Sequence, residues 1–128
     1  MDIKKSILVI DDNRMIRELL VSDLEEDYKV LVAAGGAEGL ETAAKSHPDI
    51  ILLDVNMPDM TGIEVIRQLY RQSETKDIPV VIITASEFND ATKAQLQPCG
   101  NFKGFLSKLT AAETIKELLQ KVLNDNPR

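Results

Sequence analysis

One cysteine, one histidine, an under-supply of positive charge and no long apolar run narrow the chemistry before any motif is read. A lone thiol, Cys99, cannot form an internal disulfide and suits a reducing cytoplasm. It reads as an inert loop thiol rather than a nucleophile. The lone histidine, His47, precedes Pro48 at an apparent helix exit, with no partner close in sequence. Placement at the surface or at a helix end is its better reading, not catalysis. No apolar stretch approaches the roughly 20 residues that a membrane span needs. The run at residues 7–10 is too short for a signal peptide, and no small-residue cleavage site follows it. Lys and Arg number 15 against 21 Asp and Glu, a net charge of -6. Such a surface repels a phosphate backbone, so direct nucleic-acid binding is not expected. A cytoplasmic protein that engages neither membrane nor nucleic acid is the expectation.

What is present suits a core-forming chain. Hydrophobic residues make up 44% and charged residues 28% of 128 positions, the size of a single domain. Three apolar runs, at residues 7–10, 50–53 and 78–83, are rich in Ile and Val and lack alternation. Strands buried on both faces have this pattern, which points to a parallel sheet covered by helices. Residues 30–34 and 103–107 are weaker strand candidates.

Helical periods separate all five. Ile16, Leu19, Leu20 and Leu24 share one face after the first strand, and Leu40 and Ala44 after the second. Ile63, Ile66 and Tyr70 follow the third strand; Ile115, Leu118, Leu119 and Val122 follow the fifth. The fourth helix, residues 87–97, offers only a thin stripe of Phe88, Ala91 and Ala94. Thr61 with Glu64, and Thr110 with Glu113, have capping-box spacing. Gly35-Gly36, Pro48 and Pro98 punctuate the rest, and the tail at 124–128 is polar. Five strand–helix units predict an α/β fold with an open, doubly wound, five-stranded parallel sheet and helices on both faces. One domain is expected, with a core over about residues 5–124.

In such sheets ligands bind beyond the carboxyl ends of the strands. Asp11 and Asp12 follow the first strand, Asp54 the third, Thr84 the fourth and Lys108 the fifth. Three carboxylates gathered there repel one another unless one stays protonated or a cation joins them. Lys108 alone cannot neutralise three. Mg²⁺ can, since it takes one or two carboxylates together with waters and phosphate oxygens. A carboxylate that accepts a phosphoryl group needs such charge cover. Each residue also has a bland reading. Asp12 or Asn13 could cap the first helix, Asp54 could lead into the turn at 56–59, Thr84 could be a strand-end hydroxyl and Lys108 a solvated side chain. All of these at once, at four strand ends in the expected order, is the less economical account.

These segments resemble the receiver domains of two-component response regulators, over about residues 5–123. Val9-Ile10-Asp11-Asp12 resembles the family's acidic pair. The most specific match is the run from Leu53 through Asp54, Asn56, Met57, Pro58 and Asp59 to Gly62, which is similar to the phosphoacceptor loop. Ile83-Thr84-Ala85 resembles the switch-hydroxyl segment, and Phe105-Leu106-Ser107-Lys108 the switch aromatic followed by the family's lysine.

The resemblance implies strand order 2-1-3-4-5 and phosphorylation of Asp54 by a histidine kinase or phosphotransfer protein. It also implies Mg²⁺ held by Asp11 or Asp12, Asp54 and the backbone carbonyl of Asn56. Lys108 and Thr84 would meet the phosphoryl oxygens. Thr84 and Phe105 would move inward and reshape the face of the fourth helix, fifth strand and fifth helix for a downstream protein. No output domain is expected within this chain, and the family often pairs through that same face. Such a protein would be no enzyme beyond its own phosphotransfer and dephosphorylation.

Two departures stand out. The family's lysine is normally followed by a proline in a cis peptide, whereas Leu109 follows Lys108. A cis bond before a non-proline residue costs ~3 kcal/mol, so a trans bond is expected, with Lys108 reaching the site by a different rotamer. Asn101-Phe102 stands where Gly-Ala is usual, which suggests an altered loop before the fifth strand.

Rival readings fare less well. A flavodoxin-like cofactor module needs a phosphate cradle where Asp11 and Asp12 stand. A metal-dependent phosphatase needs a second acid where Asn56 stands, and a cap over its substrate. A pseudo-receiver, folded but unphosphorylated, would have no need of the intact acidic site.

Overall fold

The computed structural model describes residues 4–85 and 90–126 of the chain. Five strands alternate with five helices: β1 (Ser6–Ile10), α1 (Arg14–Leu24), β2 (Lys29–Ala33), α2 (Gly36–Ser46), β3 (Ile50–Leu53), α3 (Gly62–Arg71), β4 (Val80–Thr84), α4 (Asp90–Leu96), β5 (Phe102–Ser107) and α5 (Ala112–Asp125). All pairings are parallel, and the sheet order is β2-β1-β3-β4-β5. The expected fold class and strand order are both observed.

The unbroken apolar runs have a direct cause. Ile50 and Leu52 point toward α1 and α5, packing with Leu24, Ile115 and Leu119. Ile51 and Leu53 point the opposite way, packing with Ala43, Val65, Ile66 and Leu69 of α2 and α3 and with Leu96 of α4. Both sides of β3 are therefore dry, and an apolar residue is needed at every position. At roughly 25 cal/mol per Å² of apolar surface removed from water, these two layers are the main favourable contribution to folding.

Several sequence expectations are corrected. Leu19 lies off the buried face of α1 and is 54% exposed. In α4, Ala91 and Ala94 are exposed and Leu96 is the buried anchor, while Phe88, Glu87 and Ser86 lie outside the described residues. A thin stripe cannot tell which side meets the sheet, and one leucine suffices to decide it. Strand β4 begins at Val80 rather than residue 78, although Ile78 is fully buried ahead of it. Thr61 does cap α3, accepting from the Glu64 N–H at 3.2 Å. Thr110 does not cap α5: Ala111 stands at the cap position without a side-chain bond. Asn13 caps α1, its side-chain oxygen accepting from the Ile16 N–H at 3.1 Å. His47 ends α2 in the left-handed conformation, φ 46°, consistent with helix-end placement. Cys99 sits in the loop after α4 as a buried free thiol.

The irregularity expected near Asn101 is real. The register between β4 and β5 slips after Val80, which pairs with Phe102, while Val81 pairs with Gly104. Lys103 is the extra residue, as in a β-bulge. Asn101 is buried there, and its Nδ2 donates to the Ile66 carbonyl at 3.2 Å, fastening the start of β5 to α3.

Candidate phosphoacceptor site

Register aligns the site. Ile10 pairs with Leu53, so the residues that follow, Asp11 and Asp54, leave the sheet side by side. The Asp54 N–H still donates to the Ile10 carbonyl at 2.9 Å, and the Asp11 N–H to the Ala33 carbonyl at 3.1 Å. Thr84 pairs with Ser107, which brings Lys108 to the same end.

Asp11 and Asp54 are buried, Asp12 is exposed, and one oxygen from each of the three lies within 4.8 Å of the others. Lys108 Nζ stands 2.8 Å from Asp11 Oδ2 and 3.5 Å from Asp54 Oδ2. The Asn13 N–H donates to Asp11 Oδ1 at 2.9 Å, and the Asn56 N–H to Asp54 Oδ1 at 3.3 Å. Thr84 is buried at the end of β4. Phe105 points outward from β5, 41% exposed, with Lys93 Nζ 4.5 Å above its ring. The peptide bond between Lys108 and Leu109 is trans, as no described residue has a cis bond.

The balance of charge is poor. Among the described residues, three carboxylates face one ammonium. Burial, and then the charge of Asp11, push the Asp54 carboxyl above the ordinary carboxylate range, against the opposing pull of Lys108 and the Asn56 N–H. Burial would push the Lys108 ammonium down. Its contacts with Asp11 and Asp54 together outweigh this, so its pKa is raised.

A hard cation fits this donor set. Asp11 Oδ2 is buried and accepts no hydrogen bond of good geometry, leaving the Lys108 ammonium as its close counter-charge. An all-oxygen cluster with negative charge in excess suits Mg²⁺ better than a softer metal.

The roles of two residues escaped the sequence reading. Arg17 Nη1, from α1, donates to the Asp11 backbone carbonyl at 2.8 Å and pins the turn that carries the acidic pair. Asp59 reaches across to α2, where its two oxygens accept from the Gly36 N–H at 3.1 Å and the Ala37 N–H at 3.0 Å. These bonds supply the cap that Gly35 has no side chain to provide, and they hold the Asp59 carboxyl below its usual range. Gly62 is needed for space. A Cβ there would come 2.6 Å from the Asp54 carbonyl oxygen and 2.9 Å from Val55 Cα, so α3 could not start so close beneath the loop. The signal in sequence was the Asp59–Gly62 spacing alone; nothing local marks Arg17.

Comparison with known proteins agrees with this geometry. Residues 7–120 match the family described as the response regulator receiver domain. The polar-differentiation response regulator DivK of Brucella ovis is 29% identical over 122 residues, covering 94% of this chain and 98% of that protein. The response regulator MprA of a Mycobacterium species is 43% identical over 82 residues, 63% of this chain and 35% of its own length. Among solved structures, the chemotaxis protein CheY4 of Vibrio cholerae superposes with a TM-score of 0.88 at 35% identity, covering 94% of this chain and all of that one. Receiver domains are signalling modules rather than conventional enzymes; they bind Mg²⁺ at an acidic pocket and interact with histidine kinases and downstream targets. With the fold, the strand-end acids and these matches in agreement, the chain belongs to the response regulator receiver domain family.

Proposed function

We propose that the chain accepts a phosphoryl group on Asp54 from a cytoplasmic histidine kinase or phosphotransfer protein, and that this switches a protein-interaction face. The observation that carries the reading is the meeting of Asp11, Asp12 and Asp54 within 4.8 Å, beside Lys108. An Asp54 oxygen attacks phosphorus as the bond to the donor nitrogen or oxygen breaks, and the bonding pair leaves with the donor. Asp54 must be ionised to attack, and its raised pKa works against that. A cation held there by Asp11 and Asp12 would lower that pKa again.

Asp11, Asp12, Asp54 and the Asn56 carbonyl would hold Mg²⁺, which when bound supplies positive charge to the phosphoryl oxygens. Lys108 pairs with one of those oxygens, and the Thr84 hydroxyl donates to another. Drawing Thr84 inward gives Phe105 reason to leave its outward position. The change is then presented by α4, β5 and α5 to a downstream protein, to a second copy, or to an output domain outside this chain. A shift of a few kcal/mol between two arrangements is enough to change that face.

The test is incubation with Mg²⁺ and acetyl phosphate, followed by mapping of acid-labile phosphate. Labelling is expected at Asp54, none in Asp54→Ala, and a higher Mg²⁺ requirement in Asp12→Ala. Full labelling of Asp54→Ala with the phosphate elsewhere overturns the assignment. No labelling of the wild type would leave a folded interaction module that is not phosphorylated.

A further inference from the structure

Leu109 stands where the family resemblance implies proline, and this changes what can hold the site lysine. Unlike proline, leucine keeps a backbone N–H. That N–H donates to Ser107 Oγ at 3.0 Å. Two further bonds frame the same turn: the Lys108 N–H donates to the Thr84 carbonyl at 3.0 Å, and the Thr110 N–H to the Ser107 carbonyl at 3.0 Å. Lys108 is therefore fixed through its own backbone and through the residues on either side. From that base its ammonium reaches Asp11 and Asp54.

A lysine side chain has several rotatable bonds and loses up to about 2 kcal/mol of rotamer entropy when held in one pose. What makes the inward pose repeatable is the direction of the Cα–Cβ bond, and that is set by the turn. Leu109 contributes no packing that could fix it, because its side chain is 95% exposed. The hydrogen bond from its N–H to Ser107 Oγ is the constraint at the residue next to the lysine, beside the Thr110 bond to the Ser107 carbonyl one residue further on.

We infer that Ser107 is a positioning residue for Lys108: by accepting the Leu109 N–H, its hydroxyl does for the lysine what a following proline's ring would do. Serine before the lysine and a non-proline after it form a matched pair, since a proline at 109 would remove the donor that Ser107 uses. The inference rests on the proposed phosphotransfer reading, in which Lys108 meets the phosphoryl group. Net values of one such hydrogen bond correspond to a two- to tenfold change in rate when they act wholly on the reacting pose.

The experiment compares wild type, Ser107→Ala, Ser107→Thr, Leu109→Pro and the Ser107→Ala/Leu109→Pro double variant. Rates of Asp54 labelling by acetyl phosphate are measured at saturating Mg²⁺, with thermal melts as a folding control. Ser107→Ala is expected to label two- to tenfold more slowly at full donor occupancy, without a change in melting. Ser107→Thr should restore the rate. In the Leu109→Pro background, removing the hydroxyl should change nothing.

A second readout does not depend on phosphotransfer. The ¹⁵N NMR signal of the Lys108 ammonium, slowed in exchange by its contacts, should persist in wild type and Ser107→Thr and broaden away in Ser107→Ala. An unchanged ammonium signal and rate in Ser107→Ala overturns the positioning role, as does an equal loss with and without proline at 109. Absence of labelling in the wild type, with the ammonium signal responding as described, sinks the phosphotransfer reading and leaves the positioning of Lys108 standing.

Discussion

Helices α3 and α4 pack on the same side of the sheet, yet α3 buries Gly62, Val65, Ile66 and Leu69 among its ten residues, while α4 buries only Leu96 among seven. The strands beneath them differ in the same way. Every residue of β3 is buried, whereas β5 alternates between partly buried and exposed positions and carries a bulge at its start. Asp54 leaves the sheet from the first region; Phe105 and its Lys93 partner belong to the second. Reacting groups need fixed distances, and a switching face needs an element held by few contacts. The molecule separates the two by one strand.

Stability measurements can break this comparison most directly. Ile66→Ala, in the middle of α3, should cost about 2–5 kcal/mol in chemical denaturation, as expected for truncating a buried isoleucine. Ala91→Gln, on the exposed side of α4, should stay within about 0.5 kcal/mol. Equal costs would mean that α4 is as firmly held as α3.

Hydrogen exchange sharpens it further. Beryllium trifluoride with Mg²⁺ stands in for the phosphoryl group. Adding it should change exchange in α4 and β5 by about tenfold, the equivalent of ~1.4 kcal/mol, and leave α2 nearly as it was. A response largest in α2, with α4 and β5 silent, defeats the proposed route. Asp59 makes this a fair contest, because it ties α2 directly to the phosphoacceptor loop.

The pH dependence of Asp54→Asn is a smaller effect with a defined sign. The folded pKa of Asp54 is raised, so the native state binds its proton more readily than the unfolded chain does. Keeping the carboxylate charged therefore costs stability above the raised value. The cost fades as pH falls through it and is gone below the ordinary carboxylate pKa. Without Mg²⁺, Asp54→Asn should melt higher than wild type at neutral pH, with the gap closing on acidification. With Mg²⁺ the order should reverse, since the wild type alone gains the full linkage stabilisation. A gap that widens toward acid pH would contradict the crowding of charge in the cleft.

The smallest expected effect is at the face itself. Lys93 over Phe105 is worth about 0.5–1 kcal/mol at an exposed site. A double-mutant cycle of Lys93→Ala with Phe105→Leu should return a coupling of that size. A coupling of zero would remove this clip between α4 and β5 from the account.

Composition and order along the chain determined much on their own. Strands dry on both faces must be apolar throughout, so β1, β3 and β4 could be read directly. Their spacing with helices left few topologies. The acids could be placed because they follow β1 and β3 immediately, the lysine because it follows the weaker candidate that became β5, and the turn from Asn56 to Gly62 carries a pattern that resemblance recognises. Tertiary structure decided the rest. Periodicity states which residues share a helical face but not whether anything covers it, which is why Leu19 proved exposed and why Leu96 replaced Ala91 and Ala94 as the anchor of α4. Contacts between a side chain and a distant backbone leave no local mark, so the Asp59 cap on α2, the Arg17 bond to the Asp11 carbonyl and the Asn101 tie to α3 emerged only once the chain was folded. The pose of Lys108 belongs with them: its residue type was legible, but its reach depends on a turn whose hydrogen bonds join β4 to β5.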